Sequence, residues 1–522
     1  MGDNMNNIER RQFLKLLAMG GTVTLGGIKL SSVYGKDIKG ESSTITKENP
    51  VNTAEKPYIN TSIFEIFKIG LGPSSSHTIA PMKAAFDFLN EINKLQDIPG
   101  ESFNIKVRLF GSLSATGKNH GTDRAITAGL LGYNPENCPE KFFDNIFNDK
   151  SKAYRVKLNS KIINFTYNDI IFDSIEHNYP YSNTMIFALY GKNKKLFEKE
   201  YYSVGGGFIE WKDYKSKTSG EPHFKYTNMQ ELTDIIKNNN LSLHQLVIEN
   251  EKSITQKNET YINEHIKKIL YVMENSVKQG LNSTGIMPGF IGLSRNAAVL
   301  YNNSKKSDKN FDKFLIELNA AAFAAAEENA VGHRVVTAPT LGSAGVLPAI
   351  IYVAKNYLKF SEEDLIKGFI AAAATGFIIK HNASLAGADV GCQGEIGVAS
   401  AMAASMLAYA KSESHKKSTN AATIALEHHL GLTCNPVGGY VQIPCIERNA
   451  IGASKAYSSY LIADNEDPDK HMPDFDTIVK VMNLTGRDMD PKYKETSLDY
   501  LGKWRPDKKE VSMLMQKTCP MC

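Results

Sequence analysis

Between residues 61 and 222 the chain breaks into short runs in which apolar and polar positions alternate. Ile105-Lys106-Val107-Arg108-Leu109 puts an apolar side chain at every second position, the period of a half-buried strand. Residues 162–165, 184–187 and 201–204 are further β-rich runs, while 78–89 and 124–131 have helical character. After His223 the period lengthens. Ile262, Ile266, Ile269, Leu270, Met273 and Val277 recur at helical spacing and mark one amphipathic face. Residues 319–330, 365–379 and 398–410 are Ala-rich and apolar nearly all round, as helices buried in a core are. The pattern predicts an α+β chain of two domains. A mixed α+β domain spans 61–222, and an all-helical domain with a buried centre follows over 223–522.

The first 60 residues do not fit either texture. Residues 1–35 carry the pair Arg10-Arg11, then Phe13-Leu14-Lys15 and a Gly/Thr-diluted apolar run to Ile28. Val33-Tyr34-Gly35 follows as a place where a signal peptidase could cut. This resembles a twin-arginine export signal and predicts a periplasmic protein that folds before transport. An amphipathic N-terminal helix or anchor on a cytoplasmic protein is the alternative. Residues 36–60 read as a polar tether with little to bury.

Composition narrows the function classes. Sixty Lys and Arg against 56 Asp and Glu leave a net charge of +4, which excludes nucleic-acid binding driven by bulk charge. No run reaches the roughly 18 continuous apolar residues of a membrane-spanning helix. Six cysteines in 522 residues are too few for a disulfide-built scaffold, so their positions matter more than their number.

Cys392, Cys434 and Cys445 each follow helix-breaking residues, so all three can point from loops into one space. Their separations match no compact zinc pattern. Three thiolates without a fourth suit an iron–sulfur cluster with one iron open to substrate. The plainer readings are buried cysteines acting as small hydrophobes, or a Cys434–Cys445 disulfide in an exported protein. His120, in Gly-Lys-Asn-His-Gly-Thr-Asp, has a flexible glycine on its C-terminal side. His77 follows Ser74, Ser75 and Ser76 at the start of a helix, where hydroxyls and amides can hold a carboxylate. A helix cap or a hydrogen-bonded loop histidine is the bland reading of each.

The sequence around these residues strongly resembles the iron–sulfur-dependent L-serine dehydratases (L-serine ammonia-lyases), in their single-chain form. GCQGEIGVASAMAAS, EHHLGLTCNPVGGYVQIPCIERNAIGASKA and ENAVGHRVVTAPTLGSAG are similar to the family's helical domain. SIFEIFKIGLGPSSSHTIAPMKAA and GSLSATGKNHGTDRAITAGL are similar to its β-rich domain, in collinear order. The resemblance implies conversion of L-serine to pyruvate and ammonia. It also implies a [4Fe–4S] cluster on Cys392, Cys434 and Cys445, with the chain-terminal Cys522 as a removable fourth ligand. His120 would be the base. His77, Ser74, Ser75, Ser76, Asn183 and Thr184 would hold the amino-acid substrate, and a homodimer is the expected assembly. No Ser-x-Lys motif for pyridoxal phosphate accompanies these residues. Gly205-Gly206-Gly207 leads into what reads as a strand, not the helix that a phosphate cradle requires.

Three positions depart from the family pattern. Tyr181 stands where a His is usual, Leu341 where an Asn is usual, and His333 where a Gly is usual. They open two other readings: a lyase for a related amino acid, or a catalytically weak amino-acid-binding or sensor protein. A disulfide-bonded exported binding domain without metal is a third.

Overall fold

The computed structural model describes residues 58–95, 102–192, 194–212 and 220–506, with a short antiparallel pair, Thr24–Leu25 and Ile28–Lys29. That pair lies in a unit of its own, residues 1–52, and residues 53–522 form a second compact unit. Apart from the pair, the residues read as an export signal lie outside the described set.

Five strands make a mixed sheet in the order Ile209–Trp211, Lys194–Ser203, Thr184–Gly191, Phe103–Leu109, Ile170–Phe172. Neighbours are antiparallel except the last pair, which is parallel. The alternation in Phe103–Leu109 does what its period predicts. Ile105, Val107 and Leu109 are buried, while Lys106 and Arg108 turn away to pair with Asp169 and Asp173. Helix Ala80–Asn93 packs on the sheet, with Phe88 5.3 Å from Phe187 between ring centroids. Residues 162–165 and 184–187 fall in the strands Lys161–Phe165 and Thr184–Gly191. Residues 201–203 end the long strand Lys194–Ser203, whose outer half is too charged to show alternation.

The C-terminal region is mostly helical. Ile262, Ile266, Ile269, Leu270, Met273 and Val277 all point inward from helix Glu259–Leu281. Helices Asn310–Ala330, Glu362–Asn382 and Ile396–Ser412 contain the Ala-rich runs. In Ile396–Ser412 every residue from Ile396 to Ala410 is buried, because Ala, Gly and Ser let neighbouring helices close in from all sides.

Two features were not expected. The helical region contributes one strand, Arg334–Val336, which pairs antiparallel with Ile69–Leu71 from the mixed region. Thr337 extends the pairing: its N–H donates to the Lys68 carbonyl (2.9 Å), and its Oγ1 accepts from the Lys68 N–H (2.8 Å). The second compact unit also has described residues inside the stretch read as a tether, from residue 58 on. Ile59 is buried and donates its N–H to the Tyr226 carbonyl, and Ile59, Ile63, Ile66 and Phe67 all pack into the helical core. No helix among the described residues is long and apolar enough to cross a membrane.

Candidate active site

Ser74 caps a five-residue π turn, Ser75–Ile79, that leads into helix Ala80–Asn93; its Oγ accepts from the His77 N–H. The turn faces the short segment Ser112–His120. Thr78 Oγ1 donates to the His120 carbonyl (2.8 Å), and Thr122 Oγ1 donates to the His77 carbonyl (2.6 Å). These bonds hold the two imidazoles 4.5 Å apart between centroids. His77 is fully enclosed. Its Nδ1 is 2.8 Å from Ser76 Oγ, and its Nε2 is 3.1 Å from both Ser112 Oγ and Thr116 Oγ1. His120 differs. Its Nδ1 lies 3.0 Å from the Thr116 carbonyl, an acceptor only, which assigns the ring hydrogen to Nδ1 and leaves Nε2 with its lone pair. No described residue takes up that Nε2. Burial pushes the His120 pKa down to about 4, and burial followed by the neighbouring His120 pushes His77 well down too.

The segment before Asn183 and Thr184 packs against Gly111, which has φ +59° and precedes Ser112. A Cβ on Gly111 would lie 1.8 Å from the Ser182 carbonyl oxygen, so only glycine lets the 182–184 segment in. Thr184 Oγ1 donates to the Tyr181 carbonyl, whereas the buried Asn183 Oδ1 has no hydrogen-bond partner.

The second cluster is made by three loops. Cys392 sits in the turn Gly391–Gly394, Cys434 pairs with the 493–495 segment, and Cys445 opens helix Cys445–Asn465 behind Pro444. All three are buried free thiols, so no Cys434–Cys445 disulfide is formed. Glu395 stands among them. Its Oε2 accepts from Cys434 Sγ (3.4 Å) and Cys392 Sγ (3.7 Å), and Thr340 Oγ1 donates to its Oε1 (2.8 Å). The ligand atoms of Cys392, Glu395 and Cys434 lie within 4.8 Å of one another. Burial and then the Glu495 charge push the Glu395 pKa up to about 7. The Cys434 thiol is raised by its bond to Cys392 and by burial, and Cys445 by burial and then Cys392. Arg448, one turn after Cys445, is the adjacent cation, and it donates to the Thr433 carbonyl (2.6 Å). Sequence reasoning missed Glu395, although it lies three residues after Cys392.

Glu495 joins the two clusters. Its Oε1 accepts from Ser76 Oγ (3.1 Å) and is 3.5 Å from His77 Nδ1, while its N–H donates to the Cys434 carbonyl. No spacing signal in the sequence marked it. A cavity of about 620 Å³ lies elsewhere, on the helical surface between Tyr271, Tyr301 and Tyr352, and is lined by none of these residues.

Comparison with known proteins places this geometry. Residues 62–214 match the serine dehydratase beta chain model, and residues 238–502 match the serine dehydratase alpha chain model. L-serine dehydratase of Haemophilus influenzae is 36% identical over 447 residues, covering 84% of this chain and 97% of that protein. The chain belongs to the serine dehydratase family. L-serine dehydratases of Streptomyces coelicolor and Escherichia coli (TdcG) are each 39% identical, over 84% of this chain and 97% of theirs.

The three departures from the family pattern sit differently in this chain. Tyr181 borders the site: it is half-buried, donates to Glu210 Oε2 (3.0 Å), and has its phenol pKa raised by burial and then by Glu210 and Asp389. Leu341 is buried in a small apolar cluster with Ile79, Val335 and Ala344, where it supports the His77 turn from behind. His333 pairs with Glu328 (2.6 Å), and its carbonyl accepts from the Gly72 N–H (3.1 Å), two residues before Ser74. Cys522 lies outside the described residues. The donors suit a metal: Cys392, Glu395 and Cys434 converge, Cys445 is near enough for Cys392 to raise its pKa, and Arg448 lies beside them.

Proposed function

We propose that the protein is an L-serine ammonia-lyase, converting L-serine to pyruvate and ammonia by β-elimination at a [4Fe–4S] cluster on Cys392, Cys434 and Cys445. One observation carries this reading: Glu495 ties the Ser76–His77 arm of the histidine pocket to the Cys434 loop, so the two clusters adjoin. The near full-length similarity to proteins named L-serine dehydratase supports the same substrate.

His120 is the base. With its hydrogen fixed on Nδ1 and a pKa of about 4, the ring is neutral near pH 7 and offers the Nε2 lone pair to the serine α-proton. Ser74, Ser75, Ser76 and His77 form the carboxylate end of the pocket. His77 orients and does not abstract, since both its ring nitrogens are already engaged. The unpartnered Asn183 Oδ1 suits the substrate ammonium, and Thr184 fixes the loop beside it. The cluster, when bound, supplies a Lewis acid with an open position that makes hydroxide a better leaving group. Loss of the α-proton and hydroxide gives aminoacrylate, which takes up water and releases ammonia and pyruvate.

Anaerobic purification with iron, sulfide and pyruvate assays tests the proposal. The expected result is brown protein that forms pyruvate from L-serine. Full activity in a colourless, iron-free preparation would overturn the cluster, and no pyruvate from iron-loaded protein would overturn the activity.

A further inference from the structure

We infer that Glu495 is a positioning residue that fixes the Ser76–His77 arm of the substrate pocket against the Cys434 loop. The inference rests on the proposed serine lyase reading and adds a residue to it. Glu495 brackets the His77 ring from both sides. On one side Nδ1 meets Ser76 Oγ, which donates to the Glu495 carboxylate. On the other, Nε2 meets Ser112 Oγ, which donates to the Glu495 main-chain carbonyl at 2.9 Å. Turning the imidazole about its own axis would break the Nδ1 chain and the packing of Nε2 against Ser112 Oγ.

Hydrogen counting gives the carboxylate a specific task. Ser76 has one hydroxyl proton, for which the Glu495 carboxyl oxygen and His77 Nδ1 compete. With that proton drawn to Glu495, Ser76 presents a lone pair, and the ring hydrogen of His77 belongs on Nδ1. Nε2 is then the acceptor. Its donor is Thr116 Oγ1 at 3.1 Å, because the one Ser112 hydroxyl proton goes to the Glu495 carbonyl. The backbone of Glu495 supplies the anchor. It holds φ +57°, unfavourable for a residue with a Cβ, and its N–H bonds the Cys434 carbonyl while the Cys434 N–H bonds the Tyr493 carbonyl (2.7 Å). The side chain therefore reaches the histidine pocket from a frame set by a cysteine loop.

Removing the carboxylate frees Ser76 and His77 but leaves His120 and the three cysteines in place. In anaerobically purified, iron-loaded enzyme, Glu495→Ala is expected to raise KM for L-serine about tenfold, the worth of one hydrogen bond, with kcat within about threefold of wild type. Glu495→Gln keeps an oxygen toward Ser76 and is expected to restore KM to within about threefold. Amide exchange over residues 75–79 should speed up in Glu495→Ala and return in Glu495→Gln, a readout independent of turnover. Ser76→Ala provides a second route should Glu495→Ala not fold: it should raise KM similarly. An unchanged KM in Glu495→Ala or Ser76→Ala, a loss confined to kcat, or a Gln variant as impaired as Ala would overturn the inference. Wild-type enzyme inactive on L-serine would instead count against the lyase reading itself.

Discussion

In the histidine pocket, the hydroxyls of Ser74, Ser76, Ser112 and Thr116 and both nitrogens of His77 find partners nearby. In the cysteine pocket, three thiols and Glu395 crowd together among apolar helices, with burial and mutual repulsion holding Cys434, Cys445 and Glu395 toward their protonated forms. The first pocket is organised by its own bonds. The second is a set of acids that a cation would organise, since metal binding takes thiolates and releases their protons. A site divided this way can keep its base in position whether or not the metal is bound.

The largest effect should come from the metal side. Replacing Cys392, Cys434 or Cys445 by Ala is expected to abolish both colour and activity, measured as iron content and pyruvate formation. Next comes the base. His120→Ala should lower kcat by about 10²–10⁴-fold, the usual contribution of general base catalysis, with iron content unchanged. A simultaneous loss of iron would merge the two pockets that the comparison separates.

A smaller effect concerns pH. The His120 pKa falls from 6.5 to about 4 on folding. The unfolded chain therefore binds a proton that the folded one refuses, and the stability from this group is present above pH 6.5 and lost as pH falls toward 4. The shift corresponds to about 3 kcal/mol. His77 acts in the same direction, so the comparison to make is wild type against His120→Gln in denaturant melts from pH 7 to 4; the variant should lose less stability over that range. The smallest effect should come from Gly111→Ala. A positive φ and the close Ser182 carbonyl should cost about 1–3 kcal/mol in melting experiments and raise KM by displacing Asn183.

Much of this architecture was legible because it depends on local period. Alternation marked Phe103–Leu109, the apolar stripe marked Glu259–Leu281, and uninterrupted Ala-rich runs marked the buried helices. The cysteines and histidines stood out because loop cysteines among helix breakers, and a histidine after three serines, are unusual in a core. What stayed hidden depends on contacts between distant residues. Nothing near residue 334 announces that it pairs with residue 71, and Arg334–Val336 is too short for alternation to show. Glu495 lies 419 residues from Ser76, and a glutamate in a Lys-rich surface segment reads as solvated.

The seam between the regions has a consequence for the order of events at the ribosome. Residues 59–67 emerge before any of the helical core they complete. Ser62 and Ile63 wait for Glu251, 189 and 188 residues downstream, and the Lys68 N–H waits for Thr337, 269 residues later. The mixed sheet, whose strands all lie between residues 103 and 211, can close long before that. The nascent chain would therefore carry a finished sheet while an apolar segment, Ile59, Ile63, Ile66 and Phe67, still waits for partners such as Phe369. Such a segment is a natural target for a holding chaperone, and its late docking would make final assembly of the active site the last act of folding.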